Sequence, residues 1–222
     1  MSLSVVILSA NPDNLRPCIE AVRRNEPDID IIVVDDGAKC DIDGVRCTAG
    51  IKPFIYARNA NIGIAAAGDN DIILLNDDAL LLTRNGFTGM QAVARSFPFL
   101  GILSAGVYGV VCNPNQIPRQ PPSLRPDRHI LAFVCALIPR DALNEVGPLD
   151  ERFTGYGEED RDYCLRVMAA GKKLAIWDHC IVDHTGHKLK STFRTQPNWM
   201  ERYAHNRKLI NQKYRGGGTQ DG

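Results

Sequence analysis

An α/β fold with a mainly parallel central sheet flanked by helices is predicted by three features of this 222-residue chain. Short apolar runs alternate with a helical pattern in the first third of the sequence, which is the signature of βαβ units. Two of those runs stop abruptly at acids, Asp35-Asp36 and Asn76-Asp77-Asp78. Apolar residues make up 44% and charged residues 23%, enough of the former to bury a sizeable core and too few of the latter for wholesale disorder.

The elements follow in order. Residues 4–9 (SVVILS) read as a buried strand. Over 12–24, Leu15, Ile19 and Val22 recur at helical spacing, with Asn11 as N-cap and Pro12 at the first helical position. Residues 29–34 (IDIIVV) form a second buried strand, 53–56 a short third and 71–75 (DIILL) a fourth. A helix is expected over 87–96 and a strand over 101–111. Five prolines fall within 113–128, so that stretch is expected to be a long loop. Beyond it come a strand over 129–138, a helical turn over 140–146 and a helix over 158–170 stopped by Gly171. Two short strands, 173–177 and 180–183, precede a basic amphipathic helix over 197–214 and a frayed glycine-rich tail over 216–222.

Bulk properties narrow the function. Formal net charge is zero, which gives no global attraction to nucleic acid. From Lys188 to Arg215 there are eight Lys or Arg and one acid, a stretch suited to a solvated helix face or to peripheral contact with an anionic membrane. The seven cysteines include no CxxC pair and sit mostly in apolar runs, as buried free thiols of a reducing compartment do. The first residues lack a basic n-region, and no apolar run approaches the ~20 residues of a membrane span. A cytoplasmic chain is expected, with attachment to a membrane surface left open.

Acids at strand ends lie where open α/β sheets bind ligands. There they suit a hard divalent cation shared with substrate phosphates, or ribose hydroxyls and a base edge. Glu158-Glu159-Asp160 with Asp162 opens the helix after Gly155-Tyr156-Gly157. Acids in a first turn complement the helix dipole, and one of them in a suitable environment serves as a general base. Three of the five histidines, His179, His184 and His187, lie within nine residues. Their spacing with Cys180 fits no compact zinc module, and a single His184 joining a carboxylate is the better reading. Trp177 and Trp199 read as packing residues before sugar platforms. A P-loop, a GxSxG elbow and a GxGxxG fingerprint are all missing.

Taken in order, SVVILSANPDNLRPCIEAV, IIVVDDG, ARNANIGIAAAG, DIILLNDD and FVCALIPRDALNEVGPLDERFTGYGEEDRDYCLRVMAAGKKLAIWDHCIVDHTGH resemble the GT-A-fold glycosyltransferases of family 2. The last segment carries most of the resemblance, through GxxDExF, E-D-x-D-x-C-x-R and a strand that ends at a histidine. The resemblance implies a GT-A catalytic domain over 1–187, with a nucleotide-binding half of about 1–100, an acceptor half of about 101–187 and a basic extension over 188–222. It implies Asp35 and Asp36 at the nucleoside, and Arg58, Asn59 and Asn61 by the nucleotide with Gly63 allowing close backbone approach. Asn76 and Asp77 stand in the DxD position, and Asp78 with His184 would hold Mn²⁺ or Mg²⁺. Asp160, in the Glu159-Asp160 pair, would be the catalytic base, with the choice between the two open. The implied reaction is inverting transfer from a nucleotide-diphosphate sugar to a saccharide, lipid-linked or other hydroxyl acceptor. Two rivals need similar acids. A nucleotidyltransferase usually has a glycine-rich basic loop after the first strand, where this chain has SANPDNLRP. A non-catalytic nucleotide- or sugar-binding module has no use for Asp160 beside a cation site.

Overall fold

The computed structural model describes residues 2–109, 111–186 and 198–215. His187, Pro197 and the expected tail over 216–222 lie outside these residues. The strands are β1 (Leu3–Ser9), β2 (Asp30–Asp35), β3 (Arg46–Ala49), β4 (Asp71–Asn76), β5 (Leu80–Leu81), β6 (Leu100–Gly109), β7 (Leu124–Asp127), β8 (Cys135–Ile138) and β9 (Lys173–His184). The helices are α1 (Pro12–Asn25), α2 (Tyr56–Ala66), α3 (Gly86–Ser96), α4 (Arg140–Val146), α5 (Glu159–Ala169) and α6 (Trp199–Arg215). All nine strands join one sheet in the order β3-β2-β1-β4-β8-β6-β9-β5, with β7 also paired to β9. Helices cover both faces, and a hydrophobic cluster fills each interface. This is the mixed α/β sheet with flanking helices expected of the GT-A fold.

Parallel pairing is concentrated in β3-β2-β1-β4 and returns in β6-β9, whereas β8 is antiparallel to both β4 and β6. Two reversals cancel, so β1, β2, β4, β6 and β9 all point the same way. Their C-terminal ends line one edge of the sheet, where Asp35, Asn76 and His184 stand.

Several local expectations hold for the reasons given. The Asn11 side chain accepts from the Asp13 amide at 3.0 Å and caps α1. Gly171 follows α5 with φ +77°, a left-handed conformation that glycine adopts freely.

Other expectations are corrected. The third strand is not at 53–56 but at Arg46–Ala49, an exposed edge strand without an apolar period, paired to β2 through its backbone. Tyr56 instead starts α2, whose Tyr56, Ala57, Ala60 and Ile64 face the core at helical spacing. The proline-rich stretch is not wholly irregular: a 3-10 turn covers Pro114–Gln116, and β7 lies at the sheet margin, where Pro126 is tolerated. The strand expected over 129–138 is confined to Cys135–Ile138. The pair expected over 173–183 is one strand with a bulge: Ala105 pairs with Trp177 and the next residue, Gly106, with Ile181. The bulge turns Asp178 inward, where it is buried and binds the Arg125 guanidinium through two contacts of 2.7 Å. Cys40 and Cys47 are joined as a disulfide across the β2–β3 loop, so the expectation of free thiols fails for those two. Cys18, Cys135, Cys164 and Cys180 are free and buried, as expected.

Gly63 takes part in packing. A Cβ added there would lie 2.3 Å from Val6 Cγ1 and 3.0 Å from Val34 Cγ2, so α2 rests directly on β1 and β2. Its close approach is therefore to the sheet, not to a nucleotide. Gly63→Ala is expected to destabilise the protein although alanine is the better helix former. The propensity gain is about 1 kcal/mol, whereas overpacking costs about 1–3 kcal/mol and more where backbone must move. Urea denaturation checks the sign; a higher midpoint would contradict this packing role.

Candidate active site

Register brings the site together. Ser9 is level with Asp35, Leu8 with Asn76, and Gly109 with His184. Sequence reading did not single out Gly109. Its φ is +99°, and an added Cβ would come within 2.6 Å of the Thr185 nitrogen, so only glycine lets β6 end against β9 here.

Asp78 and His184 meet at this edge, with Asp78 Oδ1 3.2 Å from His184 Nε2 and both side chains buried. Two cis donors on a metal with bonds of about 2.1 Å would stand about 3.0 Å apart, so the pair has the spacing of neighbouring ligands on one hard cation. Among the described residues no group of three or more His, Cys, Asp or Glu forms a metal cluster. Mg²⁺ is commonly bound by one or two protein carboxylates together with substrate oxygens and water. His179 stacks near Trp177, and Cys180 is buried in the core beside Gly86, so neither joins His184.

Asp77 turns toward α1. It accepts from Ser9 Oγ at 2.6 Å, and its pKa is pushed up to about 6, chiefly by burial and then by the Asp78 charge. Asn76 is hydrogen-bonded to the Tyr156 side chain and borders a large cavity.

That cavity has a volume of about 670 Å³, and its walls include Asn76, His184, Glu158 and Asp160. Asn76 of the strand-end group, the histidine and the acidic helix start therefore face one space, whereas Asp77 and Asp78 line a separate pocket of about 170 Å³ beside α1. The three acids at the start of α5 differ sharply. Glu158 is held by Arg161 at 3.3 Å and Arg207 at 3.5 Å. Glu159 is buried, borders no part of the cavity, and its Oε2 has no partner. Burial, and then the Asp160 charge, pushes its pKa well up. Asp160 borders the cavity, accepts from the Arg161 amide at 2.7 Å, and has its pKa raised to about 6 by burial, with the Glu158 charge adding to the rise. A carboxylate near that value is ionised at pH 7 yet basic enough to take a proton.

The other predicted residues lie around the β2 end. Asp35 accepts from the amides of Gly37 at 2.8 Å and Cys40 at 2.7 Å. Burial opposes its ionisation, but these amides prevail and its pKa is lowered. Asp36 is buried, pairs with Lys52 at 2.9 Å through Oδ2, and leaves Oδ1 without a partner. Asn59 Nδ2 is also buried and unpartnered, and an added Cβ on Gly50 would lie 2.8 Å from it and 3.3 Å from Asp36 Oδ1. An unmet acceptor and an unmet donor thus flank one point. Arg58 donates to the Ile51 and Pro53 carbonyls. Asn61 is away from this group: its amide is used on Leu149 and Glu151 in contacts of 2.9–3.0 Å. It ties α2 to the second half of the chain, and a nucleotide contact for it is not supported by where it lies.

Helix α6, read from sequence as a basic extension, is built into the site. Asn206 is fully buried, accepts from the Thr154 amide at 2.9 Å, and donates to the Thr154 and Gly157 carbonyls at 2.9 and 2.8 Å. It fixes the turn that leads into Glu158–Asp160. Lys213 pairs with Asp150 at 2.8 Å and with Asp162 at 2.6 Å. With Arg207 on Glu158, these cations are engaged by the protein. No described helix is long and apolar enough to cross a membrane.

No protein-family model matches the chain. It is 27% identical to "Uncharacterized protein y4gI" of Sinorhizobium fredii (strain NBRC 101917 / NGR234), an alignment covering 76% of this chain and 23% of that one. The chain thus spans about a quarter of that relative's length. Among solved structures it is similar to GalNAc-T7 with UDP, GalNAc and Mn²⁺, at a TM-score of 0.66 and 13% identity, over 83% of this chain and 44% of that chain. It is also similar to S. aureus TarS 1-349, at a TM-score of 0.63 and 11% identity, over 98% and 74%. At these identities the likeness is one of fold, that of GT-A glycosyltransferases.

Proposed function

We propose that this chain is an inverting glycosyltransferase of the family 2 type, moving a sugar from a nucleotide-diphosphate donor to an acceptor hydroxyl. The observation that carries the reading is the meeting of His184, itself paired to Asp78, with Asp160 around one cavity at the C-terminal sheet edge. GT-A structures are precedent for the fold, and one of them was solved with UDP, GalNAc and Mn²⁺.

In this reading the nucleoside lies over the β2 end, where Asp36 Oδ1 accepts and Asn59 Nδ2 donates. Both atoms are buried without partners, a state that costs about 1–3 kcal/mol each and is relieved by a complementary ligand edge. Asp78 and His184 would hold Mn²⁺ or Mg²⁺, which when bound supplies positive charge beside the departing diphosphate. Asp160 accepts the proton of the acceptor hydroxyl as its oxygen forms a bond to the anomeric carbon. The bond from that carbon to the diphosphate oxygen breaks on the opposite face, its electron pair leaves with the diphosphate, and the anomeric centre inverts.

The direct test is a thermal-shift and product-release screen of UDP-, GDP- and dTDP-sugars with and without Mn²⁺, since ligands of the native state raise apparent stability. Selective stabilisation by one nucleotide series, together with release of its diphosphate, is expected. If no donor stabilises the chain or is consumed, the reading is wrong. The pH profile makes it sharper. Asp160 works only when deprotonated, so kcat/KM should fall about tenfold per pH unit below its pKa of about 6 and level off above it. A profile flat from pH 4.5 to 7.5 would remove Asp160 from the base role.

A further inference from the structure

The cavity's wall carries two kinds of group. Asp160, His184 and Asn76 are polar. Most of the remaining lining is apolar and includes Val111, Ile130 and Phe133 together with Trp199 and Tyr203 from α6. Trp199 and Tyr203 are four residues apart and so share a helix face. Trp177, by contrast, is a packing residue, with its ring 2.5 Å from where a Gly89 Cβ would be.

The polar groups in the apolar part of the wall are already committed. The Asn113 amide donates to Asp127 at 3.2 Å and to the Ile130 carbonyl at 3.1 Å. Glu158 is ion-paired to Arg161 and Arg207. A second hexose enclosed there would leave several hydroxyls short of partners, and each such loss is expensive in a desolvated space. An apolar body loses nothing there and gains from burial.

The aromatic wall is also fixed in place. Asn206 and Ile210, farther along α6, are buried, and the Tyr203 ring lies 3.0 Å from where a Gly157 Cβ would be. The helix that pins the catalytic turn therefore holds the two rings as well.

We propose that this cavity is the acceptor site for an amphipathic hydroxyl compound, its hydroxyl end at Asp160 and an apolar alkyl or aryl body against the lining that includes Phe133, Trp199 and Tyr203. The word acceptor rests on the glycosyltransferase reading; the class of ligand rests on the cavity alone.

Two probes with the same sugar and different tails isolate the claim: octyl β-glucoside, kept below its micelle concentration, and methyl β-glucoside. Binding to the full chain is measured by calorimetry. The octyl compound is expected to bind at least about 30-fold more tightly, since seven further methylenes are buried. Trp199→Ala and Tyr203→Ala are each expected to weaken octyl binding about tenfold and to leave methyl glucoside unchanged. Trp199 is only half-buried, and the comparison of tails on the unmodified chain needs no variant. Equal affinity for the two probes, or octyl binding unmoved by both substitutions, overturns the proposal. Release of nucleoside diphosphate in the same mixtures separates the two readings. Selective octyl binding without consumption of any donor supports the cavity assignment and removes the transferase. Donor consumption driven equally well by free maltotetraose keeps the transferase and overturns the amphipathic acceptor.

Discussion

Asp160→Asn is expected to lower kcat for transfer by about 10²–10⁴-fold while donor affinity stays within a factor of two, because the substitution keeps the shape and removes only the proton acceptor. The donor contacts proposed for Asp36, Asn59, Asp78 and His184 are not touched. The same substitution should stabilise the fold at neutral pH. Burial and the Glu158 charge raise the Asp160 pKa from 3.8 to about 6, so between those values the folded state binds more protons than the unfolded one. Stability contributed by this group therefore falls as pH rises through that window, and the cost is fully present above it. A two-unit rise corresponds to at most about 3 kcal/mol, a gain of several degrees in Tm when the charge is removed. The gain should shrink as pH falls through that window and vanish below about pH 3, where the carboxyl is neutral in both states. Opposite changes in activity and stability are what a group retained for chemistry produces. A variant with normal kcat, or one that loses donor binding with its activity, would contradict the assigned role.

The sequence shows the sheet's interior and conceals its margins. β1, β2 and β4 are legible because central strands read as continuous apolar runs, and α1 is legible because Asn11 and Pro12 mark its start. β3 and β7 are edge strands held by backbone pairing, so Arg46–Ala49 and Leu124–Asp127 carry no period to detect. Gly63 was legible as a point of close approach, but the partner of a glycine is a tertiary fact, and here it is Val6. Asn61 fails in the same way, since nothing local distinguishes an amide for a ligand from one that ties α2 to residues 149–151. Asp78 and His184 stand 106 residues apart in sequence. No spacing rule links them, and only the ordered set of motifs does. The choice between Glu159 and Asp160 needs coordinates, because adjacent residues at a helix start point about 100° apart and only Asp160 faces the cavity. Least legible was α6. Its composition suggests a solvated face or a membrane contact, yet Asn206 is spent on the Thr154–Gly157 turn, Arg207 on Glu158, and Lys213 on Asp150 and Asp162.

Asp78→Ala should abolish the Mn²⁺ dependence of donor binding, and the argument turns on a change of sign. Under the proposed function, Asp77 and Asp78 without a cation would place negative charge beside the donor's diphosphate and repel it. With a cation on Asp78 and His184 the same position attracts it. Donor affinity of the unaltered chain should therefore rise at least about tenfold, or ~1.4 kcal/mol, on adding Mn²⁺. Removing the Asp78 carboxylate leaves His184 as one neutral ligand, too weak to retain a hard cation that prefers oxygen donors. Titrations with and without Mn²⁺ should then coincide, and metal-free affinity should equal or exceed that of the unaltered chain because one repelling charge is gone. The Asp77 pKa, raised partly by Asp78, should fall toward the ordinary carboxylate range. His184→Ala is expected to lose the metal response as well, and the double variant should be no worse than either single one, since both ligands serve one ion. Calorimetric titration of a nucleoside diphosphate in Mn²⁺ and in chelator reads all four chains. A Mn²⁺ response that survives in Asp78→Ala would place the cation elsewhere and leave the 3.2 Å Asp78–His184 contact as an ordinary buried hydrogen bond.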